Sequence, residues 1–182
     1  MNPKFKILNK TISNKSKPYI IAEACINHEG KLKIAKKMIE LAAKAGVSAV
    51  KFQFHVLEDE MLKKTPKSKN FSESLYDALD RTNLNIKEHK YLKTFCEQNK
   101  VDYLCTPFSF KSADILEKEI KLKVFKTGSG ELTNIPLQIH IAKKKLPTII
   151  STGMSTLKEV EETYNKIKKI NKNIALTQCT SS

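Results

Sequence analysis

Short apolar runs alternate with stretches of helical spacing along the chain. The runs are Tyr19–Ala22, Ala49–Phe52, Val101–Cys105, Lys123–Phe125, Pro147–Ile150 and Ile174–Leu176. Each has the near-continuous hydrophobicity of a strand covered on both faces. Between them, Leu32, Ala35, Ile39 and Ala42 step by three and four, as do Leu157, Val160, Tyr164 and Ile167. Each set therefore lines one face of an amphipathic helix. Asn85 with Glu88, and Thr156 with Glu159, have the spacing of helix N-terminal caps, a short polar side chain followed three residues on by a carboxylate. A further short helix is expected around Ser74–Leu79.

Strand and helix in alternation predict an α/β fold with a parallel sheet, either doubly wound or closed into a barrel. The polar residues choose between the two. Glu23, Lys51 with Gln53, Thr106, Lys126 and Ser151 all fall at or just beyond the C-terminal end of a predicted strand. Consecutive strands delivering polar groups to one rim is the habit of a TIM (β/α)8-type barrel, whereas a doubly wound sheet concentrates them near a switch point. Residues 1–17, alternating over Lys4–Leu8, are expected to form a strand or hairpin capping the barrel floor. Residues 18–182 then form a partial barrel, truncated after about the sixth strand. The connection from His55 to about Asn85, charged at Glu58-Asp59-Glu60, is long enough to serve as a substrate cover.

Composition narrows the partners. A chain of 182 residues that is 40% hydrophobic can bury one sizeable core. The formal charge of +14 is mostly lysine scattered over predicted helix faces without interleaved aromatics, which attracts anionic substrates and does not suggest nucleic acid. Cys25, Cys96, Cys105 and Cys179 include no C-x-x-C pair, so reduced thiols are expected, with neither a zinc site nor a disulfide framework. No membrane-length apolar run or signal-peptide core is present, and a cytoplasmic protein without a membrane partner is expected.

Lys51 and Lys126, with Thr106, Ser129 between Gly128 and Gly130, and Ser151-Thr152-Gly153, supply two ammoniums, several hydroxyls and open backbone. That is a set for holding phosphate and carboxylate oxygens. No G-x-x-x-x-G-K-[ST] loop accompanies it, so ATP and GTP are not indicated. A lysine ending a strand or a Gly-Ser-Gly turn is unremarkable alone, and the argument rests on their common rim. Glu23, Asn27, Gln53, Asn70 and Glu131 are candidates for bonding the hydroxyls of a polar substrate. His28 reads as a loop-shaping residue, His55, His89 and His140 as incidental, and no metal site assembles from them.

The segments IIAEACINHEG (20–30), AVKFQFHVLEDEM (49–61), LCTPFS (104–109), FKTGSGELTN (125–134), PTIISTGMST (147–156) and LTQCTSS (176–182) resemble, in order and spacing, the sialic acid synthase family. Its members include N-acetylneuraminate, legionaminate and pseudaminate synthases. The resemblance implies a barrel enzyme of carbohydrate biosynthesis, homodimeric at full length, serving cell-surface polysaccharides. Such an enzyme condenses phosphoenolpyruvate with an N-acetylated hexose such as N-acetylmannosamine to a nine-carbon 2-keto acid and phosphate. Carried over by motif, Lys51, Thr106, Lys126, Ser129 and Ser151 match phosphoenolpyruvate ligands, and Gln53, Asn70, Glu131 and Ser181 match sugar contacts. Glu23 matches an acidic residue near the reacting centre, catalytic together with Lys51 and Lys126. Cys25 stands where glycine is usual and Phe54 where a small polar residue is common, which implies a more crowded rim. The family also implies a divalent metal, Mn or Mg, whose histidine ligands fall beyond Ser182, so an incomplete fragment without synthase activity is expected. A related 3-deoxy-ulosonate synthase and a non-catalytic phosphate-binding or assembly module are the alternatives.

Overall fold

The computed structural model describes residues 4–64, 66–67 and 72–180. A hairpin, β1 (Phe5–Ile7) against β2 (Lys10–Ile12), comes first. Then follow β3 (Ile21–Cys25), α1 (Leu32–Lys44), β4 (Ala49–Phe54), α2 (Leu75–Thr82), α3 (Ile86–Gln98), β5 (Asp102–Pro107), α4 (Phe110–Lys118), β6 (Phe125–Thr127), α5 (Ile135–Lys143), β7 (Thr148–Ser151), α6 (Leu157–Ile167) and β8 (Ile174–Thr177).

Strands β3 to β8 pair in parallel and in strict chain order, with no reversal. A doubly wound sheet needs a reversal to make its crevice. Here the six strands curl into a half-barrel instead, a parallel sheet with helices on its outside.

The period-two alternation of each strand sorts its side chains between two cores. Val50, Phe52, Phe54, Tyr103, Cys105 and Phe125 point outward and pack with Ala35, Ile39, Leu92, Cys96, Leu116, Leu137 and Ile141 of the helices. Ala49, Leu104, Val124 and Ile149 point inward and pack with Ile7 of the hairpin to form a dry floor. Two residues further along each of those strands come Lys51, Thr106, Lys126 and Ser151, all buried. The polar rim is thus the layer directly above an apolar one, and its depth is set by the floor beneath it.

The caps form as read. Asn85 and Thr156 each make a reciprocal capping box with the carboxylate three residues on, and Ser74 accepts from Asp77 N at the start of α2. The β3–α1 turn is pinned by Gly30, whose φ of +70° and 2.5 Å approach of a notional Cβ to Arg81 O leave no room for a side chain. His28 Nδ1 accepts from Gly30 N at 3.1 Å within the same turn, which is the loop-shaping role expected of it.

Several expectations are corrected. The strands run further toward their C-terminal ends than the apolar runs do, because Glu23, Gln53, Thr106, Lys126 and Ser151 belong to the ladders while facing inward. Leu157 and Tyr164 of α6 are exposed, and the buried face is Thr163 with Ile167, the Thr163 hydroxyl donating to Leu132 O at 3.1 Å. Phe54 does not crowd the rim. Its ring lies edge-on to His89 at 5.1 Å in the outer core, as its odd register relative to Lys51 and Gln53 requires. Among the described residues no helix is long and apolar enough to cross a membrane.

Candidate active site

Lys51, at the third position of β4, reaches the rim with its side chain 5% exposed. Its Nζ lies 2.8 Å from Glu23 Oε2, 3.4 Å from Thr106 Oγ1 and 3.5 Å from Cys25 Sγ. Burial works against the ammonium, yet the Cys25 sulfur and the Glu23 carboxylate outweigh it, so its pKa stands above the usual lysine value. At neutral pH the carboxylate carries that effect, because burial holds the Cys25 thiol up and protonated. Cys25 itself has φ +49°, the left-handed region in which a glycine is comfortable.

Lys126, on β6, donates from Nζ to Thr127 O at 3.0 Å and to Ser151 Oγ of β7. Burial lowers its pKa; Glu23 opposes this and the neighbouring Lys51 adds to it. The next turn, a 3-10 turn over Ser129–Glu131, is tied to the loop after β7 by Gly153 N donating to Ser129 Oγ at 3.1 Å. Beside them, Cys179 follows β8, and hydrogen bonds from Thr177, Ser151 and the Thr152 backbone, with the Lys126 charge, overcome burial and bring its thiol down to about 7.

Two buried ammoniums therefore share one rim. Among the described residues only Lys51 has a carboxylate at ion-pair distance. A buried cation without a counter-charge is costly, and an anion entering between the lysines would relieve that cost.

A cavity of ≈ 410 Å³ adjoins this cluster, lined by Gln53, His55, Glu60 and Glu131 among Ile26, Met61, Leu75, Leu79 and Phe108. Glu131 is not a counter-ion for either lysine, since its Oε2 accepts from Asn134 Nδ2 at 2.8 Å and the turn keeps it half-buried at the mouth. Asn27 is exposed on the β3–α1 turn and is not among the residues lining this cavity. Asn70 and Ser181 lie outside the described residues. A larger cavity, ≈ 590 Å³, opens among Lys6, Lys10, Asp102, Lys123 and Asn173 at the opposite, hairpin end of the strands. It shares no residue with the rim, whereas Gln53 and Glu131 of the smaller cavity lie close in sequence to Lys51 and Ser129.

His55 is not incidental. Its ring is buried, with Nδ1 2.7 Å from Glu60 Oε2 and Nε2 3.2 Å from Gln53 Oε1. The sequence shows a carboxylate five residues after this histidine, which follows β4, but the 3-10 turn over Leu57–Asp59 that brings the two together comes from the fold. His89 is likewise a core residue, its Nδ1 2.6 Å from Tyr103 OH, while His140 pairs with Asp114 at 2.7 Å on the helical surface. With His28 engaged by Gly30, the histidines are committed to contacts inside the fold. Among the described residues no cluster of three or more His, Cys, Asp or Glu is arranged to hold a metal ion. The described residues do not supply the ligand set of the implied Mn or Mg.

Half-barrel and rim together define an α/β barrel-type protein with two buried lysines at the C-terminal ends of its strands. Residues 38–182 match the NeuB family, and the chain belongs to that family. It is 40% identical over 174 residues to N,N'-diacetyllegionaminic acid synthase of Campylobacter jejuni subsp. jejuni serotype O:2, covering 91% of this chain and 52% of that protein. It is 30% identical over 169 residues to human N-acetylneuraminate-9-phosphate synthase, covering 90% and 47% respectively. The chain thus spans about half the length of these curated relatives. Among solved structures, the N-acetylneuraminic acid (sialic acid) synthetase of Leptospira borgpetersenii serovar Hardjo-bovis, in complex with citrate, superposes with a TM-score of 0.87 at 29% identity, covering 100% of this chain and 61% of that one.

Proposed function

We propose that the rim binds phosphoenolpyruvate between Lys51 and Lys126, as part of a synthase that joins it to an N-acetylated hexose such as N-acetylmannosamine. The observation that carries this reading is the pair of buried ammoniums of which, among the described residues, only Lys51 has a carboxylate at ion-pair distance. Phosphoenolpyruvate brings a phosphate and a carboxylate, so it can face both lysines at once while Thr106, Ser129 and Ser151 bond the remaining oxygens.

Carbon 3 of the enol would attack the open-chain aldehyde of the sugar. Water would add at carbon 2 and phosphate would leave, giving a nine-carbon 2-keto acid. This chain's part is to hold the anion, exclude competing water from the apolar floor and align the aldehyde; positioning of this kind supplies much of the rate in a two-substrate reaction. Gln53 and Glu131 face the cavity where the sugar would lie. The relatives are named as synthases of N,N'-diacetyllegionaminic acid and of N-acetylneuraminate 9-phosphate, and those names support a product of this class.

Calorimetric titration of the 182-residue protein with phosphoenolpyruvate tests the reading. Binding is expected, weakened about 10- to 100-fold by Lys51→Met or Lys126→Met, the loss of one charge-assisted contact. A folded protein with no affinity for phosphoenolpyruvate would refute it. Phosphate release with N-acetylmannosamine is a separate measurement, and the expectation for these 182 residues alone is none.

A further inference from the structure

Both ring nitrogens of His55 face oxygen atoms that lie in the lining of the sugar-side cavity, Glu60 Oε2 at 2.7 Å from Nδ1 and Gln53 Oε1 at 3.2 Å from Nε2. A carboxylate oxygen and an amide carbonyl can only accept. A neutral imidazole has one donor and one acceptor, and cannot satisfy two acceptors.

We propose that His55 is a positioning residue: held as an imidazolium by the Glu60 carboxylate, it fixes the Gln53 amide so that its NH2 group faces the cavity. The Glu60 carboxylate is as buried as the ring, each side chain being 4% exposed. Its other oxygen accepts from Val56 N at 2.7 Å, so both oxygens act as acceptors. A carboxylate at that depth requires a cation beside it, and among the described residues His55 is its one ion-pair partner.

The ring is also fixed in plane. Phe108 stacks on it with centroids 4.4 Å apart and 14° between planes. Asn83 Nδ2, from beyond the end of α2, bonds His55 O at 3.1 Å and holds its backbone. Among the described residues, the other titratable groups near this point are Glu131, which lines the same cavity, and His89 of α3, which burial keeps neutral.

The consequence is a hydrogen-bond polarity for the cavity. With its carbonyl turned to His55, Gln53 presents its NH2 donors to a ligand in the cavity that Glu131 also lines. A neutral ring would reverse this: Nε2 would accept from the Gln53 NH2, and the carbonyl would turn to the cavity. The use of that polarity on a sugar rests on the function proposed above; the orientation of the amide does not.

Long-range proton–nitrogen NMR of the 15N-labelled full chain at pH 7 reads the ring directly, with His55 assigned through His55→Gln. Two protonated ring nitrogens are expected, and Glu60→Gln should leave one bare and shift the Gln53 amide. A bare nitrogen in the parent protein overturns the proposal, and that spectrum suffices if Glu60→Gln does not fold. Adding N-acetylmannosamine with phosphoenolpyruvate should move the Gln53 NH2 resonances. A doubly protonated ring without that movement upholds the positioning and removes the sugar reading.

Discussion

Lys51 and Glu23 form an ion pair of unequal burial: the ammonium side chain is 5% exposed and the carboxylate 50%, with 2.8 Å between them. The carboxylate can swing into solvent, whereas the ammonium cannot. An entering anion can therefore displace Glu23 from Lys51 without burying a new charge. Glu23→Gln is expected to tighten phosphoenolpyruvate or inorganic phosphate binding by about 3- to 10-fold, as competition for Lys51 is lost. The free protein should lose about 1–3 kcal/mol, because the variant leaves the buried Lys51 ammonium without its carboxylate partner, an effect tempered by the half-exposed position of Glu23. Titration alongside urea unfolding checks both, and weaker anion binding in the variant would show that Glu23 assists the anion and does not compete with it.

Cys25 occupies backbone space that suits glycine, at φ +49°. For a residue with a Cβ this costs about 1–2 kcal/mol, and a β-branched side chain fares worse. Cys25→Val should lose about 2 kcal/mol in urea unfolding, while Cys25→Gly should stay within about 1 kcal/mol of the parent. Equal losses in the two variants would mean that the sulfur contacts to Lys51 and Glu23, and not the backbone, set the stability here.

The thiol of Cys179, brought down to about 7 beside Lys126, should react before the buried Cys96 and Cys105, which burial pushes up to about 12. Iodoacetamide labelling followed by mass spectrometry should give a rate profile with a midpoint near 7. Lys126→Met should move that midpoint upward, and bound phosphoenolpyruvate should shield the thiol. A Cys179 rate unaffected by Lys126→Met would break the link between thiol and rim.

The half-barrel, its helices, the capping boxes and the lysine rim were legible in the sequence because each depends on local periodicity: two for strands, 3.6 for helices, three for a capping box. Lys51 and Lys126 stood out as charged residues inside otherwise apolar strands. What the sequence hid depends on direction and on partners. Phe54 looks like a rim residue until its register turns it outward, and Leu157 looks like core until α6 presents Thr163 instead. The His55–Glu60 pair needs the tight turn at Leu57–Asp59 to bring its members together, and spacing alone does not show that turn closing.

His89 gives the fold a pH dependence whose sign follows from its burial. The ring is fully enclosed between Phe54 and Tyr103, and desolvation, with small contributions from His28 and His55, lowers its pKa from 6.5 to about 3. In the unfolded chain the same imidazole titrates near 6.5. Above that pH both states are neutral and the contribution to stability is fully present. As pH falls below 6.5, the unfolded state takes up a proton that the folded state refuses, and stability declines by about 1.4 kcal/mol per pH unit until the folded ring titrates near 3. Between pH 7 and pH 5 the loss from this residue is about 2 kcal/mol, and His28, also lowered by burial, adds to it in the same direction. His89→Phe removes the titrating group while leaving Tyr103 without its partner, so the variant should be less stable at pH 7 yet lose less on acidification. Urea midpoints of the two proteins at pH 7, 6 and 5 should converge as pH falls; parallel lines would show that His89 does not govern the acid limb.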